Sequence, residues 1–367
     1  MNQKRLLSLD VFRGITITAM ILVNNPGSWG AVYPALKHAE WHGLMLADFV
    51  FPFFLFIIGV AMPYSFSKRI SAGDSKSKLA LHVFYRSLIL FLVGMFLTGL
   101  PSFNYYNKLI LDVLQRIGVV YLLAGMIFIF FNQKWQIIIS IFSLILYWVL
   151  MFVISAPGFG SGNLSPDGNV LYYIDAVLTS GWHNHKEGIL SLISSVPSVL
   201  FGACAGYWLR GEKNDYEKVN GMFVFGAVGL LFGLILDMWF PFNKLLWSSS
   251  YVIYTTAMAL MALASLYYLI DIKDYKKIFF PFIVFGSNAV VAFVFSSLIA
   301  KLMGLIKFSV NVSSGVTEMS LKTFIYVTFF KGYFSDYNAS LFYALGYILF
   351  CFGVMYILYR KKIFIKI

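Results

Sequence analysis

Residues 37–66 read KHAEWHGLMLADFVFPFFLFIIGVAMPYSF. From Phe49 to Ser67 no side chain is charged, and a run of about twenty apolar residues is what an α-helix needs to cross a hydrocarbon core of roughly 30 Å. The stretch therefore predicts a membrane-spanning helix over 46–66, with His38, Glu40, His42 and Asp48 gathered at its leading end. Runs of the same kind recur at 9–25, 82–100, 110–131, 136–154, 188–209, 221–240, 250–270, 279–301 and 339–359. The expected fold class is all-α, a polytopic integral membrane protein of about ten transmembrane helices.

Composition agrees. Only 12% of the 367 residues are charged while 60% are hydrophobic, and a soluble domain would carry about 25% charge. The net charge of +12 does not indicate nucleic acid, because the basic residues are sorted by loop. Lys4, Arg5, Lys68, Arg69, Lys76, Lys78, Lys134, Arg210, Lys213, Lys218, Lys273, Lys276, Lys277, Arg360, Lys361, Lys362 and Lys366 fall on one side, against eight on the other. An excess of this kind marks the cytoplasmic face, so both termini are expected in the cytoplasm and the chain in a bacterial cytoplasmic (inner) membrane, with lipid as its surroundings. Cys204 and Cys351 lie inside apolar runs, which leaves no disulfide framework or cysteine zinc site. Asp10 and Arg13 interrupt the first apolar run, so it reads as a retained helix rather than a cleaved leader. No internal repeat or soluble segment divides the chain, and 1–367 reads as one transmembrane domain.

Two non-cytoplasmic loops stand out. Residues 26–45 hold the opening histidines, and 156–187 form a long Gly-, Pro- and Ser-rich loop ending in SGWHNHKE; loops of that length are more often lids or binding walls than connectors. His183 and His185 in it read as solvated residues, and His82 as a residue at a span's cytoplasmic end. Within 302–338, LKTFIYVTFF is too short to span and reads as interfacial or re-entrant.

Charges inside spans cost at least about 2.5 to 3.5 kcal/mol near the bilayer centre, so each needs a reason. Asp10 with Arg13 (i,i+3) and Asp112 with Arg116 (i,i+4) can neutralise one another on a helix face, and Asp237 lies close to a span end. Structural pairing accounts for the acids. The guanidinium groups of Arg13, Arg86 and Arg116 also suit an anionic ligand reached from a cytoplasmic cavity.

His38 and His42, four residues apart, would share one face of a helix and could bind a metal. The order HAEWH lacks the HExxH arrangement and a third ligand, so no metal is expected. An imidazole titrates near neutral pH, which makes His38 a candidate base, and Asp48 could orient it. Asn24 and Asn25, in VNNPG, add amide donors that could polarise a carbonyl. Spacing alone leaves an active site and a helix cap equally open.

The residues carry a further signal. LSLDVFRGITITAMILVNNPG and LKHAEWHGLMLADFVFPFFLFIIGVAM resemble the signature of the heparan-α-glucosaminide N-acetyltransferase family. Matches continue in LQRIGVVYLLAG (114–125), NVLYYIDAVL (169–178), KEGILSLISSVPSVLFGACAG (186–206), PFNKLLWSSSYVIY (241–254) and VFGSNAVVAFV (284–294). The resemblance implies a transmembrane acetyltransferase that takes acetyl groups from cytosolic acetyl-CoA and delivers them to the amine of a glucosamine-type sugar on the far side. It implies His38 as the active-site histidine, in KHAEW, with Asn24 and Asp48 as its partners. Arg13, Arg86 and Arg116 are then candidates for the CoA phosphates, and Asn25, His42, Lys244, Trp247 and Glu187 for the acceptor side. Where the family often has Asp-Pro before EGILS, this chain has His185 and Lys186, which leaves the acceptor sugar open.

Two mechanisms fit. His38 takes a proton from the sugar amine in a ternary complex, or it attacks first and carries the acetyl group as acetyl-imidazole. The rival class is an amino-sugar permease without acyl transfer, although no repeat-related pair of broken helices is visible. Broad apolar faces leave a homodimer open.

Overall fold

The computed structural model describes residues 6–105, 111–179, 187–312 and 315–365. His183, His185 and Lys186 lie outside them. The spans are α1 (Leu7–Asn24), α2 (Val50–Ser71), α3 (Lys76–Gly99), α4 (Val113–Phe130), α5 (Gln133–Val153), α7 (Leu192–Arg210), α8 (Asp215–Asp237), α9 (Ser249–Leu266) and α13 (Asp336–Arg360), with a short α6 (Val170–Leu178) between α5 and α7. Among the described residues, nine helices are long and apolar enough to cross a membrane, and one bent helix pair makes a tenth only if it counts as a single span. The chain is an all-α multi-pass membrane protein.

Polar caps mark the helix starts. The Ser75 hydroxyl accepts from Lys78 N and the Asn132 amide oxygen from Trp135 N. Asn214 and Glu217 cap each other at the start of α8, satisfying backbone N–H groups that a helix cannot satisfy itself.

Helix association in lipid relies on close contact rather than on hydrophobic exclusion. α2 packs on α7 along a seam of small residues. A Cβ on Gly59 would stand 1.9 Å from the Val199 carbonyl oxygen, and one on Gly202 2.1 Å from that of Phe56. α1 and α10 (Phe280–Ser287) approach as closely: a Cβ on Gly14 would meet the Phe282 carbonyl oxygen at 1.8 Å. The interior is α2, whose apolar side chains are buried almost all round, whereas α8 exposes Val224, Phe225, Val228, Leu231 and Phe232.

The first and last described residues lie at one end of the bundle. Leu7 N and Ser8 N donate to the Asp271 carboxylate at 3.3 and 3.0 Å. The Asn288 side chain donates to Ile363 O and accepts from Ile365 N, each at 2.9 Å. The opposite end, called here the site end, carries 25–49, 154–169 and 238–248.

Two expectations change. The span expected at 279–301 is instead α10 followed by α11 (Ala289–Leu305), bent by 84°. A hairpin, β1 (Lys307–Val312) and β2 (Gly315–Ser320), follows it in antiparallel register with Lys307 opposite Ser320. LKTFIYVTFF then forms a short helix, α12 (Leu321–Tyr326), and a π turn, Val327–Lys331. Residues 37–45 contain no helix, so His38 and His42 do not share a helix face.

Candidate active site

The loop ahead of α2 folds back on itself around one carboxylate. Asp48 sits in a 3₁₀ turn, Leu46–Phe49, that starts α2, and its side chain is 1% exposed. Oδ2 accepts from Ala39 N and Met45 N, both at 3.0 Å. Oδ1 lies 2.7 Å from His38 Nδ1. The carboxylate therefore caps the turn and holds the imidazole at once, and the two readings that spacing left open describe one group. A carboxylate within the turn can only accept, so Nδ1 carries the proton and Nε2 the lone pair. His38 itself is 44% exposed, with Nε2 available to a substrate. From behind, the Tyr251 hydroxyl donates to the Asp48 carbonyl at 2.6 Å.

A second loop, 241–248, brings Lys244 against this pair. Asn243 organises it: Oδ1 accepts from Leu246 N at 2.8 Å, N donates to Ser248 Oγ at 3.1 Å, and O accepts from Ser248 N at 3.1 Å. Gly43 N donates to Phe242 O at 2.8 Å, stitching the two loops together. Lys244 Nζ then lies 3.3 and 3.4 Å from the two ring nitrogens of His38 and 4.0 Å from Asp48 Oδ1. His42 faces Asn243 Nδ2 at 3.4 Å. Burial pushes its imidazole below its usual range, and the Asp237 carboxylate opposes that shift.

The expected cofactor arginines separate. Arg13 and Arg86 line one cavity of about 260 Å³ toward the termini end, with Ser287, Asn288 and Ile365. Arg13 holds Asp10 at 3.1 Å, and Arg86 lies over the Tyr121 ring. The last residues of α10, Gly286 and Ser287, and the first of α11, Ala289 and Val290, face the same cavity, so two helix ends of opposite partial charge meet there. Arg116 does not belong to this group. It is fully buried at the site end, donating to Glu187 O at 3.1 Å, Gly188 O at 3.4 Å, Ser195 Oγ at 2.8 Å and Ser191 Oγ. Nor does it pair with Asp112, whose carboxylate caps α4 by accepting from Val113 N.

The acceptor-side candidates divide too. Trp247 cannot line a mouth: it is fully buried, packed edge-on against Phe51 and Tyr251 with the Arg116 guanidinium over its ring. Glu187 gives its carbonyl to Arg116. The Asn25 amide donates to Ile21 O at 2.9 Å and closes the end of α1. Asn24 makes no hydrogen bond with His38 and instead lines a second cavity, about 200 Å³, with Asn25, Ser296, Ser297 and Lys301. The Asn24 cavity lies between α1 and α11 toward the site end, whereas the Arg13 cavity, toward the termini, is walled mainly by α2, α3 and α4, with Arg13 and the α10–α11 break on its rim. From Arg13 to Asn24 the helix rises about 16 Å. The α10–α11 break and Tyr251 were not anticipated, although Gly-Ser-Asn within the apolar run 284–294 is a break signal.

Fold and site together describe a helical membrane protein with a carboxylate-held histidine at one end and a cationic cavity toward the other. The chain belongs to the heparan-alpha-glucosaminide N-acetyltransferase family, whose catalytic-region model matches residues 5–234. It is 27% identical over 356 residues to heparan-alpha-glucosaminide N-acetyltransferase of Mus musculus, covering 80% of this chain and 53% of that protein. The protein of the same name in Homo sapiens is 28% identical over 358 residues, covering 79% and 52%. The chain thus spans about half the length of these relatives.

Proposed function

We propose that the protein is a transmembrane N-acetyltransferase that moves an acetyl group from acetyl-CoA to the amine of a glucosamine-type sugar, with His38 as its reacting imidazole. The observation that carries this reading is the 2.7 Å contact of His38 Nδ1 with the buried Asp48 carboxylate, which assigns the proton to Nδ1 and the lone pair to Nε2.

Acetyl-CoA is elongated, anionic at one end and thioester-bearing at the other. Arg13 and Arg86 supply the cationic surroundings that phosphates need. A cavity of about 260 Å³ takes a segment of such a molecule, and α1, which carries both Arg13 and Asn24, gives its arm a direction. Asn24, facing the Asn24–Lys301 cavity, would donate to the thioester carbonyl. The sugar would approach the exposed side of His38, beside His42. The phosphate end is then cytoplasmic and the sugar end not, in line with the loop charges. His38 either removes a proton from the amine during attack or carries the acetyl group itself.

The bent pair α10–α11 is the one observation that favours the permease, because transporters place substrates at broken helices. One experiment separates the two. The detergent-solubilised full chain is given acetyl-CoA and glucosamine, and free CoA thiol and N-acetylglucosamine are measured. Equal amounts of both, lost in His38→Ala, support acyl transfer. Neither product from a folded protein would sink it. Acetyl label retained on the protein after acetyl-CoA alone selects the acetyl-histidine route.

A further inference from the structure

We propose that Lys244 is a catalytic residue whose ammonium binds the oxyanion formed on the acetyl carbonyl during transfer. The inference rests on the acyl-transfer reading above and names a group that stabilises its transition state.

Position comes first. Lys244 Nζ is 3.3 Å from Nδ1 and 3.4 Å from Nε2 of His38. In the ring plane, equal distances to both nitrogens would force Nζ onto the ring carbons, so the ammonium lies over the ring. From there it leaves the Nε2 lone pair open, yet reaches an oxygen on a carbon that Nε2 approaches. A lysine serving only to balance Asp48 would lie closer to that carboxylate than the 4.0 Å observed.

Environment comes second. The Lys244 side chain is 17% exposed, and a charge shielded from water acts more strongly on a nearby oxyanion.

The third observation is the loop that aims it. Trp247 has φ of +54°, a left-handed conformation that is unusual for a bulky residue and persists only where its surroundings enforce it. Here they do. Trp247 N donates to Lys244 O at 3.1 Å, Trp247 O accepts from Ser194 Oγ at 2.8 Å, and Leu246 O accepts from the Tyr147 hydroxyl. A turn whose Leu246 and Trp247 are buried is held by two spans, α5 and α7, and the side chain it projects to the imidazole is Lys244.

The sugar nitrogen attacks the thioester carbonyl carbon. The C–N bond forms and the carbonyl π pair moves onto oxygen, where the Lys244 ammonium donates to it. Collapse restores the C=O bond and breaks the C–S bond, whose electron pair leaves on sulfur. His38 Nε2 takes the proton from the attacking nitrogen and gives it to the thiolate. N-acetylated sugar and CoA thiol result, with His38 and Lys244 in their starting forms.

The test measures kinetics of the detergent-solubilised full chain with acetyl-CoA and glucosamine. Lys244→Met keeps the length and removes the charge; kcat should fall about 10²- to 10³-fold, the usual effect of losing an oxyanion donor, with the KM of both substrates nearly unchanged. Lys244→Cys should be similarly slow, and alkylation with bromoethylamine, which restores an ammonium at lysine's length, should recover most of the rate. Wild type alkylated in parallel controls for Cys204 and Cys351. Wild-type kcat in Lys244→Met beside an inactive His38→Ala overturns the lysine's role and leaves the acyl-transfer reading standing. A fully active His38→Ala overturns that reading and the proposal with it. If Lys244→Met does not fold, the alkylated cysteine variant decides, and a folded, alkylated protein without recovered activity also overturns the proposal.

Discussion

Asp48→Asn changes one atom type in the buried pair and has a calculable outcome. In the native site Oδ2 accepts from two fixed backbone N–H groups, Ala39 and Met45, while Oδ1 faces His38 Nδ1. The new amide must keep its oxygen on the backbone donors, so its NH₂ meets Nδ1. Two donors cannot face each other, and the imidazole must move its proton to Nε2, the nitrogen that has to accept a proton or attack the thioester. Loss of a charge-assisted hydrogen bond costs about 1.5–3 kcal/mol, or about 10- to 150-fold in rate. Loss of a general base adds to this and takes the fall toward about 10⁴. The expected kcat is therefore below about one hundredth of wild type, measured as CoA thiol release with glucosamine as acceptor. The melting temperature should hardly change, because both backbone bonds survive. Asp48→Ala, which orphans both N–H groups, should lose a further 1–3 kcal/mol of stability or so per group. A substantially active Asp48→Asn would refute the tautomer argument.

Arg86→Ala should raise the KM for acetyl-CoA about tenfold or more, the worth of one charge-assisted phosphate contact, without altering the KM for glucosamine in steady-state kinetics. Arg116→Met should lower the melting temperature, at a cost of about 1–3 kcal/mol for carbonyls left without a donor, and spare the KM for acetyl-CoA; a raised KM at unchanged stability would return Arg116 to the cofactor path. Burial holds the folded-state pKa of His42 below the ordinary histidine value of 6.5, so the folded state resists its protonation. Stability should be constant above that value and decline as pH falls through it. In His42→Gln the decline in melting temperature between neutral and mildly acidic pH should be smaller.

The spans were legible because each must supply its own run of apolar residues, but α3 and α8 begin at Lys76 and Asp215, ahead of the expected 82 and 221, because caps at Ser75 and Asn214 start them in polar sequence. The break at Asn288 was less legible, since the run stays apolar on both sides of it and the Asn288 side chain bonds Ile363 O and Ile365 N, a contact with a segment 75 or more residues away. His38 and Asp48 could be recognised as a polar cluster, and the family resemblance gave them roles. Their pairing depends on a chain reversal over 39–47 that no periodicity encodes. Lys244 approaches from 206 residues away, a contact set by the bundle. The surroundings of Arg116 were not legible, because sequence shows that a charge lies within a span but not which way the helix face turns; here it turns toward Trp247 and the 187–195 segment.

The central claim is transfer between the two sides of a membrane through His38. Proteoliposomes carrying the full chain, with acetyl-CoA on one side and glucosamine on the other, test it most directly. The expected result is free CoA in the first compartment and an equal amount of N-acetylglucosamine in the second, both abolished by His38→Ala. Glucosamine crossing unmodified, at a rate that His38→Ala leaves unchanged, would contradict it.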